Sequence, residues 1–287
     1  MNTSQKLRWV FLGGRPLGVP CLEALKHVGL LPDLVIANPD RPAGRGQVMT
    51  PPPEKGWADE HGIPCLQPEK LKTVIDDIRE RGPWDVFVLA AYSQILPQRF
   101  LDIPRLGIVN LHPSMLPKMR GPSPIRSSIL TNAKDAVGVS VMLLDAEMDH
   151  GPLIAQKRPV LSEWPMRGSV LDALLITEGS QLLAETLPQY CAGEILPQQQ
   201  DHSKATICSF FEKGDARIDL QADAYTNLLK ICAYDGWPGA FTTVERNGKE
   251  VRIKIITAHI EDDTLILDRI VPEGKSEMLY SDFVRGS

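Results

Sequence analysis

The sequence predicts an α/β fold: a mostly parallel sheet with helices on both faces, followed by a small β-rich C-terminal domain. Three observations predict it. Short continuous apolar runs such as Asp85-Val86-Phe87-Val88-Leu89-Ala90 recur through the first two-thirds of the chain. Amphipathic stretches separate them, as expected of strands buried on both faces and joined by crossover helices. Composition then changes over residues 198–203, and the segments beyond read as one helix and three strands. The expected domains are therefore 1–200 and 204–287.

The elements follow in order. Residues 7–12 read as a strand that Gly13-Gly14-Arg15-Pro16 ends, and 19–27 read as a helix. Pro16 suits a first-turn position, where its missing N–H costs nothing. Residues 33–37 are a second strand. Residues 38–55 are rich in Pro and Gly and read as one long loop, a feature that in a compact domain is usually functional. A helix over 71–81, strands over 84–91 and 106–111, a helix over 122–130 and a strand over 138–144 come next. Residues 169–187 give the longest helix. In the C-terminal part, 222–234 is helical and 241–245, 251–258 and 264–270 are strands. Asn247-Gly248 is a hairpin-turn signal between the first two of these strands.

Composition sets limits on function. Hydrophobic residues make up 43% and charged residues 23%, which excludes wholesale disorder. The 31 basic and 36 acidic residues leave a net charge of −5, which excludes a broadly basic nucleic-acid coat. The last 87 residues, 201–287, hold 11 basic and 15 acidic side chains, so the C-terminal part is not a basic module either. No apolar run approaches the roughly 18–20 residues of a membrane span. The run Trp9-Val10-Phe11-Leu12 is too short for the core of a signal peptide. Five scattered cysteines without a CxxC pair argue against a disulfide framework or a structural zinc site, and a reduced cytosol is the expected location.

Four features carry possible chemistry. Gly13, Gly14 and Gly18 lie between a strand and a helix, but Arg15 stands where a dinucleotide fingerprint needs its second glycine. The turn is therefore read as one that lets strand and helix pack. Asn110 and His112 are two apart at the carboxyl end of an apolar strand and so share one face. Ligand crevices of open parallel sheets lie beyond such strand ends. An amide and an imidazole there can stabilise an oxyanion and move a proton. The run Asp145-Ala146-Glu147-Met148-Asp149-His150-Gly151-Pro152 follows the next strand, and a carboxylate from it would hold the His112 ring. Asp149, Asp145, Glu147 and His150 all compete for that place on sequence alone. Finally, Lys118, Arg120 and Arg126, with Arg41, Arg45 and Lys55 of the long loop, make a basic rim fitted to phosphates.

Longer motifs then become recognisable. They are Asn38-Pro39-Asp40-Arg41-Pro42-Ala43-Gly44-Arg45-Gly46, Ala90-Ala91-Tyr92-Ser93-Gln94-Ile95-Leu96-Pro97 and Asn110-Leu111-His112-Pro113-Ser114-Met115-Leu116-Pro117. Arg120-Gly121 with Pro124-Ile125, Met148-Asp149-His150-Gly151, Trp237-Pro238-Gly239-Ala240, Pro272-Glu273-Gly274-Lys275 and Asp282-Phe283-Val284-Arg285-Gly286 extend the match nearly end to end. The chain resembles the methionyl-tRNA formyltransferases. The Asn-x-His plus Asp set is shared by all folate-dependent formyltransferases, whereas the loop of residues 38–46 and the C-terminal motifs are more specific to the tRNA enzymes.

The resemblance implies a Rossmann-like catalytic domain, and an OB-like C-terminal domain that contacts tRNA. It implies transfer of a formyl group from 10-formyltetrahydrofolate, as co-substrate, to the α-amino group of methionyl initiator tRNA in translation initiation. Asn110, His112 and Asp149 would be the catalytic trio. Tyr92, Ser93, Gln94, Ile95 and Leu96, with Ser114, Met115, Leu116 and Pro117, would line the folate pocket. Arg41, Arg45, Lys118 and Arg120 would meet the tRNA. No metal, no membrane and a cytoplasmic monomer are expected.

Three departures from the family pattern stand out. The first turn is Gly13-Gly14-Arg15-Pro16-Leu17-Gly18 rather than Gly-Thr-Pro and an aromatic. Gln47 and Val48 follow where further basic residues are usual. Few residues separate Ile255 from Pro272, so the C-terminal barrel is expected to be abbreviated. Two alternatives share the motifs. A sugar-nucleotide N-formyltransferase would use the same trio and folate but has no need of an arginine-bearing loop. A phosphoribosylglycinamide formyltransferase would lack the C-terminal module. A third, non-catalytic folate- or nucleotide-binding protein would not need all three polar residues together.

Overall fold

Two aspartates align the starts of three neighbouring strands at the centre of the main sheet. In the computed structural model, which describes residues 6–285 apart from Arg45 and Asn247, Asp33 accepts from Trp9 N (3.1 Å) and Asp85 from Arg8 N (2.9 Å). That backbone bond from Arg8 holds the Asp85 carboxyl below the usual carboxylate range. The chain then runs β1 (Trp9–Gly13), α1 (Gly18–His27), β2 (Leu34–Ala37), β3 (Arg41–Ala43), β4 (Val48–Thr50), α2 (Pro53–Glu60) and β5 (Cys65–Leu66). It continues through α3 (Ile75–Glu80), β6 (Val86–Ala90), α4 (Gln98–Leu101), β7 (Ile108–His112), α5 (Pro124–Leu130), β8 (Val139–Leu143), β9 (Leu153–Lys157) and α6 (Gly168–Cys191). The last elements are α7 (Ala224–Ala233), β10 (Phe241–Arg246), β11 (Lys249–Glu261), β12 (Thr264–Pro272), β13 (Met278–Leu279) and α8 (Tyr280–Arg285).

Seven strands form one sheet in the order β5-β2-β1-β6-β7-β8-β9. Every pairing from β5 to β7 is parallel, while β7 with β8 and β8 with β9 are antiparallel. The chain builds outward from β1 to β5, returns to β6 and builds the other way. The strand order thus reverses between β1 and β6, the place where open α/β sheets form ligand crevices at their carboxyl ends. All residues of β1, β2, β6 and β7 are buried, and since successive side chains alternate, both faces are covered. On one face Val10, Leu12, Ile36, Phe87 and Ile108 pack with Ile75, Ile78 and Phe100 from α3 and α4. On the other, Gly179 of α6 lies so close to Leu111 that a Cβ would come within 3.0 Å of its side chain.

The α/β class and the order of the expected elements match the sequence expectation; β5, α4, β13 and α8 are elements it did not contain, and three further segments differ. The 38–55 segment is not one loop: β3 and β4 pair as an antiparallel ribbon and α2 begins at Pro53. The helix expected over 71–81 is broken at Val74 (φ −117°, ψ 6°), which ends a short 3-10 turn and caps α3. Strand β9 had no clear apolar signature, because all but Ile154 are only partly buried at the sheet edge.

The chain divides into two compact units. One comprises Met1–Arg120, Gly138–Arg158 and Leu175–Ala205 and holds the seven-stranded sheet. The other comprises Gly121–Val137, Pro159–Leu174 and Thr206–Ser287. Its core is the antiparallel sheet β10-β11-β12-β13, where Ile253, Ile255 and Ile270 pack with Ile231 of α7, Tyr234 at the end of that helix and Phe283 of α8. Asp223 caps α7 by accepting from Thr226 N (2.7 Å). Four described strands, one fewer than the five of an OB barrel, give the abbreviated module that the sequence implied. Of the expected Asn247-Gly248 turn, Asn247 lies outside the described residues, and Gly248 has the positive φ (71°) that such a turn requires.

Candidate active site

Strand β7 presents Ile108 to the sheet core, and its alternation brings Asn110 and His112 to the same face at the carboxyl end. Both are buried, at 6% and 5% exposure. His112 Nε2 lies 2.9 Å from the carbonyl of Met119, so Nε2 carries the proton that this oxygen accepts. Nδ1 is then the ring atom left to face Asp149. Asp149 Oδ1 stands 3.6 Å from it, an ion-pair distance too long for a direct hydrogen bond.

Geometry separates the competing residues of the 145–152 run. Asp145 accepts from Glu147 N (3.0 Å) and pairs with His150 Nδ1 (2.7 Å), while Glu147 is exposed. Asp149 alone of the four pairs with His112. It does so from a left-handed backbone (φ 51°), which Asp tolerates better than most residues. Gly151 must follow closely, because any Cβ there would meet the Leu143 carbonyl at 2.1 Å.

The segment after β7 is held from beneath. Ser114 is fully buried and donates to Lys118 O (2.7 Å). Ser140, opposite His112 in the β7–β8 register, donates to Ser114 O (2.6 Å) and accepts from Leu116 N (3.1 Å). Gln156 donates to Ser140 Oγ (2.8 Å) and Leu116 O (2.9 Å). Met115 packs against Gly138, where a Cβ would fall 2.4 Å from its sulfur, and Pro117 is half-buried. Sequence reasoning missed Ser140 and Gln156; the only available sign was that Ser140 sits one strand over from a polar strand end.

The other expected folate residues divide into outward and inward groups. Tyr92 is buried and its hydroxyl has no hydrogen-bond partner; burial pushes its pKa up to about 12. Ser93 donates to Asn38 Oδ1 (2.7 Å). Gln94 accepts from Leu71 N (2.6 Å) and donates to Pro68 O (2.9 Å), so it braces the loop rather than facing outward. Ile95 is 93% exposed and Leu96 packs on the core.

The basic rim is largely paired. Arg41 makes two parallel bonds to Glu69 (3.0 and 2.7 Å), Arg126 grips Asp172 and Lys55 pairs with Asp59. Arg45 lies outside the described residues, and Lys118 is half-buried. Arg120 is turned inward at 6% exposure, bonded to Gln200 and His202. The glycine turn has the packing role read from sequence. A Cβ on Gly14 would meet the Ala91 carbonyl at 2.5 Å, and one on Gly18 would meet the Glu54 carboxyl at 2.2 Å. Glu54 is itself buried, with Oε2 unpartnered, and desolvation raises its pKa. Among the described residues no three His, Cys, Asp or Glu are placed to hold a metal, and no helix is long and apolar enough to cross a membrane.

Comparison with known proteins decides among the readings of this geometry. The formyl transferase family model matches residues 9–184. The methionyl-tRNA formyltransferase of Chloroflexus aurantiacus is 44% identical over 238 residues, covering 82% of this chain and 76% of the relative. That of Bacillus subtilis is 35% identical over 305 residues, covering 98% and 95%. This chain belongs to the methionyl-tRNA formyltransferase family. A solved N-formyltransferase from Helicobacter canadensis, in complex with folinic acid and dTDP-3-aminofucose, shares the fold at a TM-score of 0.63 and 16% identity, covering 91% of this chain and 95% of that one. The fold is thus common to sugar and tRNA formyltransferases, and it is sequence identity that places the chain with the methionyl-tRNA formyltransferases.

Proposed function

We propose that this chain transfers the formyl group of 10-formyltetrahydrofolate to the α-amino group of methionyl initiator tRNA, with Asn110, His112 and Asp149 as its catalytic residues. The observation that carries this reading is the meeting of His112 Nδ1 and Asp149 Oδ1 at 3.6 Å, with Asn110 on the same buried strand face. The amine nitrogen attacks the formyl carbon and a C–N bond forms. The formyl oxygen becomes an oxyanion, which the Asn110 amide and a proton on His112 Nδ1 stabilise. The bond to N10 of the folate then breaks. Asp149, directly or through an ordered water, takes the proton that the amine sheds, and that proton passes to the departing N10, which returns His112 and Asp149 to their starting protonation states.

Two features support the folate and tRNA assignments. The Tyr92 hydroxyl is a buried polar atom without a partner, at the end of β6 where the fold places a crevice, and a folate would supply one. The β3–β4 ribbon is exposed throughout and carries Arg41 on its first strand, and Arg45 lies in sequence between the two strands. A small sugar gives no reason for such a projection, whereas an acceptor stem does. We assign Lys118 with the ribbon to the tRNA side, and tRNA contact also to the C-terminal module; the cytoplasm and a monomeric state complete the reading.

The test is a formyl-transfer assay on three acceptors: charged initiator tRNA, charged elongator tRNA and an amino-sugar nucleotide. The initiator tRNA is the expected preferred acceptor. Preference for the sugar nucleotide would overturn the reading in favour of the runner-up, and transfer to none would favour a non-catalytic binder.

A further inference from the structure

Behind Asp149 lies a cluster that the chemistry above does not use. Leu153 N donates to Gln198 O (2.7 Å) and Gln198 N to Leu153 O (2.8 Å), which pins the 198–200 segment beside the start of β9. This places Gln200, 5% exposed, under the 149–151 turn. Its amide nitrogen donates to Asp149 O (2.9 Å) and Gly151 O (2.7 Å). Its amide oxygen accepts from Arg120 Nε (3.2 Å) and Nη2 (2.7 Å). Every donor and acceptor site of the amide is filled. Arg120 Nη2 lies also 2.8 Å from His202 Nδ1, which therefore accepts. The His202 ring stacks on His150 with centroids 4.0 Å apart and planes 3° from parallel. Residues 200 and 202 thus take hold of the turn together: one binds the carbonyls on either side of His150, the other binds its ring.

We infer that Gln200 is a positioning residue for formyl transfer, acting through Asp149 and itself set by Arg120. This rests on the proposed role of Asp149. The physical argument is that Asp149 points toward His112 from a left-handed φ, so its aim depends in part on the bonds that hold that backbone in place. The Gln200 bonds fix the carbonyl of Asp149 and the one two residues later. The side-chain amide does this while its oxygen also accepts from two donors of a buried guanidinium. Arg120, expected from sequence to meet tRNA, is reassigned to this inward role.

The test is a double-mutant cycle in the full-length chain. Gln200→Glu keeps the size and an acceptor oxygen for Arg120, but it replaces the amide nitrogen, which donates both bonds to the turn, with an oxygen. The expected result is a kcat lower by about 10–100-fold, as for an ångström-scale misplacement of a catalytic group, with the Michaelis constants for folate and tRNA unchanged. In an Asp149→Asn background, where asparagine tolerates the same backbone, Gln200→Glu should lower kcat little further. An equal loss in both backgrounds would mean a general structural effect and would overturn the inference, as would normal kcat in Gln200→Glu. Should Gln200→Glu lose cooperative melting, the same cycle is read with Arg120→Lys, which keeps the charge and loses the fork. Failure of the underlying reading looks different: Asp149→Asn by itself would then turn over normally.

Discussion

The strand β7 and the turn at 149–151 supply the same site in opposite ways. Asn110 and His112 are placed by a sheet: their strand is bonded to β6 on one side and β8 on the other, and side-chain alternation does the aiming. Asp149 is placed by side chains distant in sequence, Gln200, Arg120 and His202, the last of which stacks on the neighbouring His150. Geometry carried by a sheet is set by many backbone bonds and survives the loss of any one side chain. Geometry carried by a polar cluster depends on each member, because partly satisfied buried networks lose much of their hold.

The largest expected effects come from the sheet-borne pair. Asn110→Ala should lower kcat roughly 10²–10³-fold, the usual cost of an oxyanion donor. His112→Ala should lower it roughly 10²–10⁴-fold, the range for acid–base assistance. In both, circular dichroism and melting should show the fold intact; unfolding would break the comparison, because it would make the strand's geometry depend on these side chains. Arg45→Ala comes next, with a tRNA Michaelis constant raised about tenfold, the worth of one charge-assisted contact, and folate affinity unaffected. An unchanged tRNA Michaelis constant would remove the ribbon from the tRNA site.

Ser140→Ala sharpens the contrast from the other side, since it removes a polar brace from the segment that follows the strand. It should raise the folate Michaelis constant about fivefold, the size of one net hydrogen bond, and leave kcat nearly unchanged. A fall in kcat instead would show that Ser140 acts on His112 across the register. The smallest effect is expected for Glu54→Gln. The Glu54 pKa is raised in the folded chain, so stability is greatest below the ordinary glutamate range and falls as pH rises through the raised value. The amide should flatten that decline, seen as a melting temperature that drops less between pH 4 and 8 than in the wild type.

Much of this is legible in the sequence, and the reason is physical. Asn110 and His112 are recognisable because a two-residue period and an apolar strand are local signals. The buried runs of β1, β6 and β7 are likewise local. Asp149 could not be separated from Asp145, Glu147 and His150 on sequence alone, since a turn has no period to say which side chain points inward; the resemblance, and then the 3.6 Å pairing, singled it out. Gln200 gave no sign at all, being 51 residues from the carbonyl it holds. The inward turn of Arg120 was hidden for the same reason, because a cation beside Lys118 reads as surface until its acceptor is found. The β3–β4 ribbon was missed because its strands are short, exposed and Pro-bearing, so they lack the buried alternation that reveals a strand.

The most direct measurement of the central claim, that imidazole and carboxylate act as one unit, is the single-turnover rate of formylation for His112→Ala, Asp149→Asn and the two combined. The account predicts that the double variant is scarcely slower than His112→Ala, since residues that work as a unit are not additive. Losses that multiply, or an Asp149→Asn rate equal to the wild type, would contradict it.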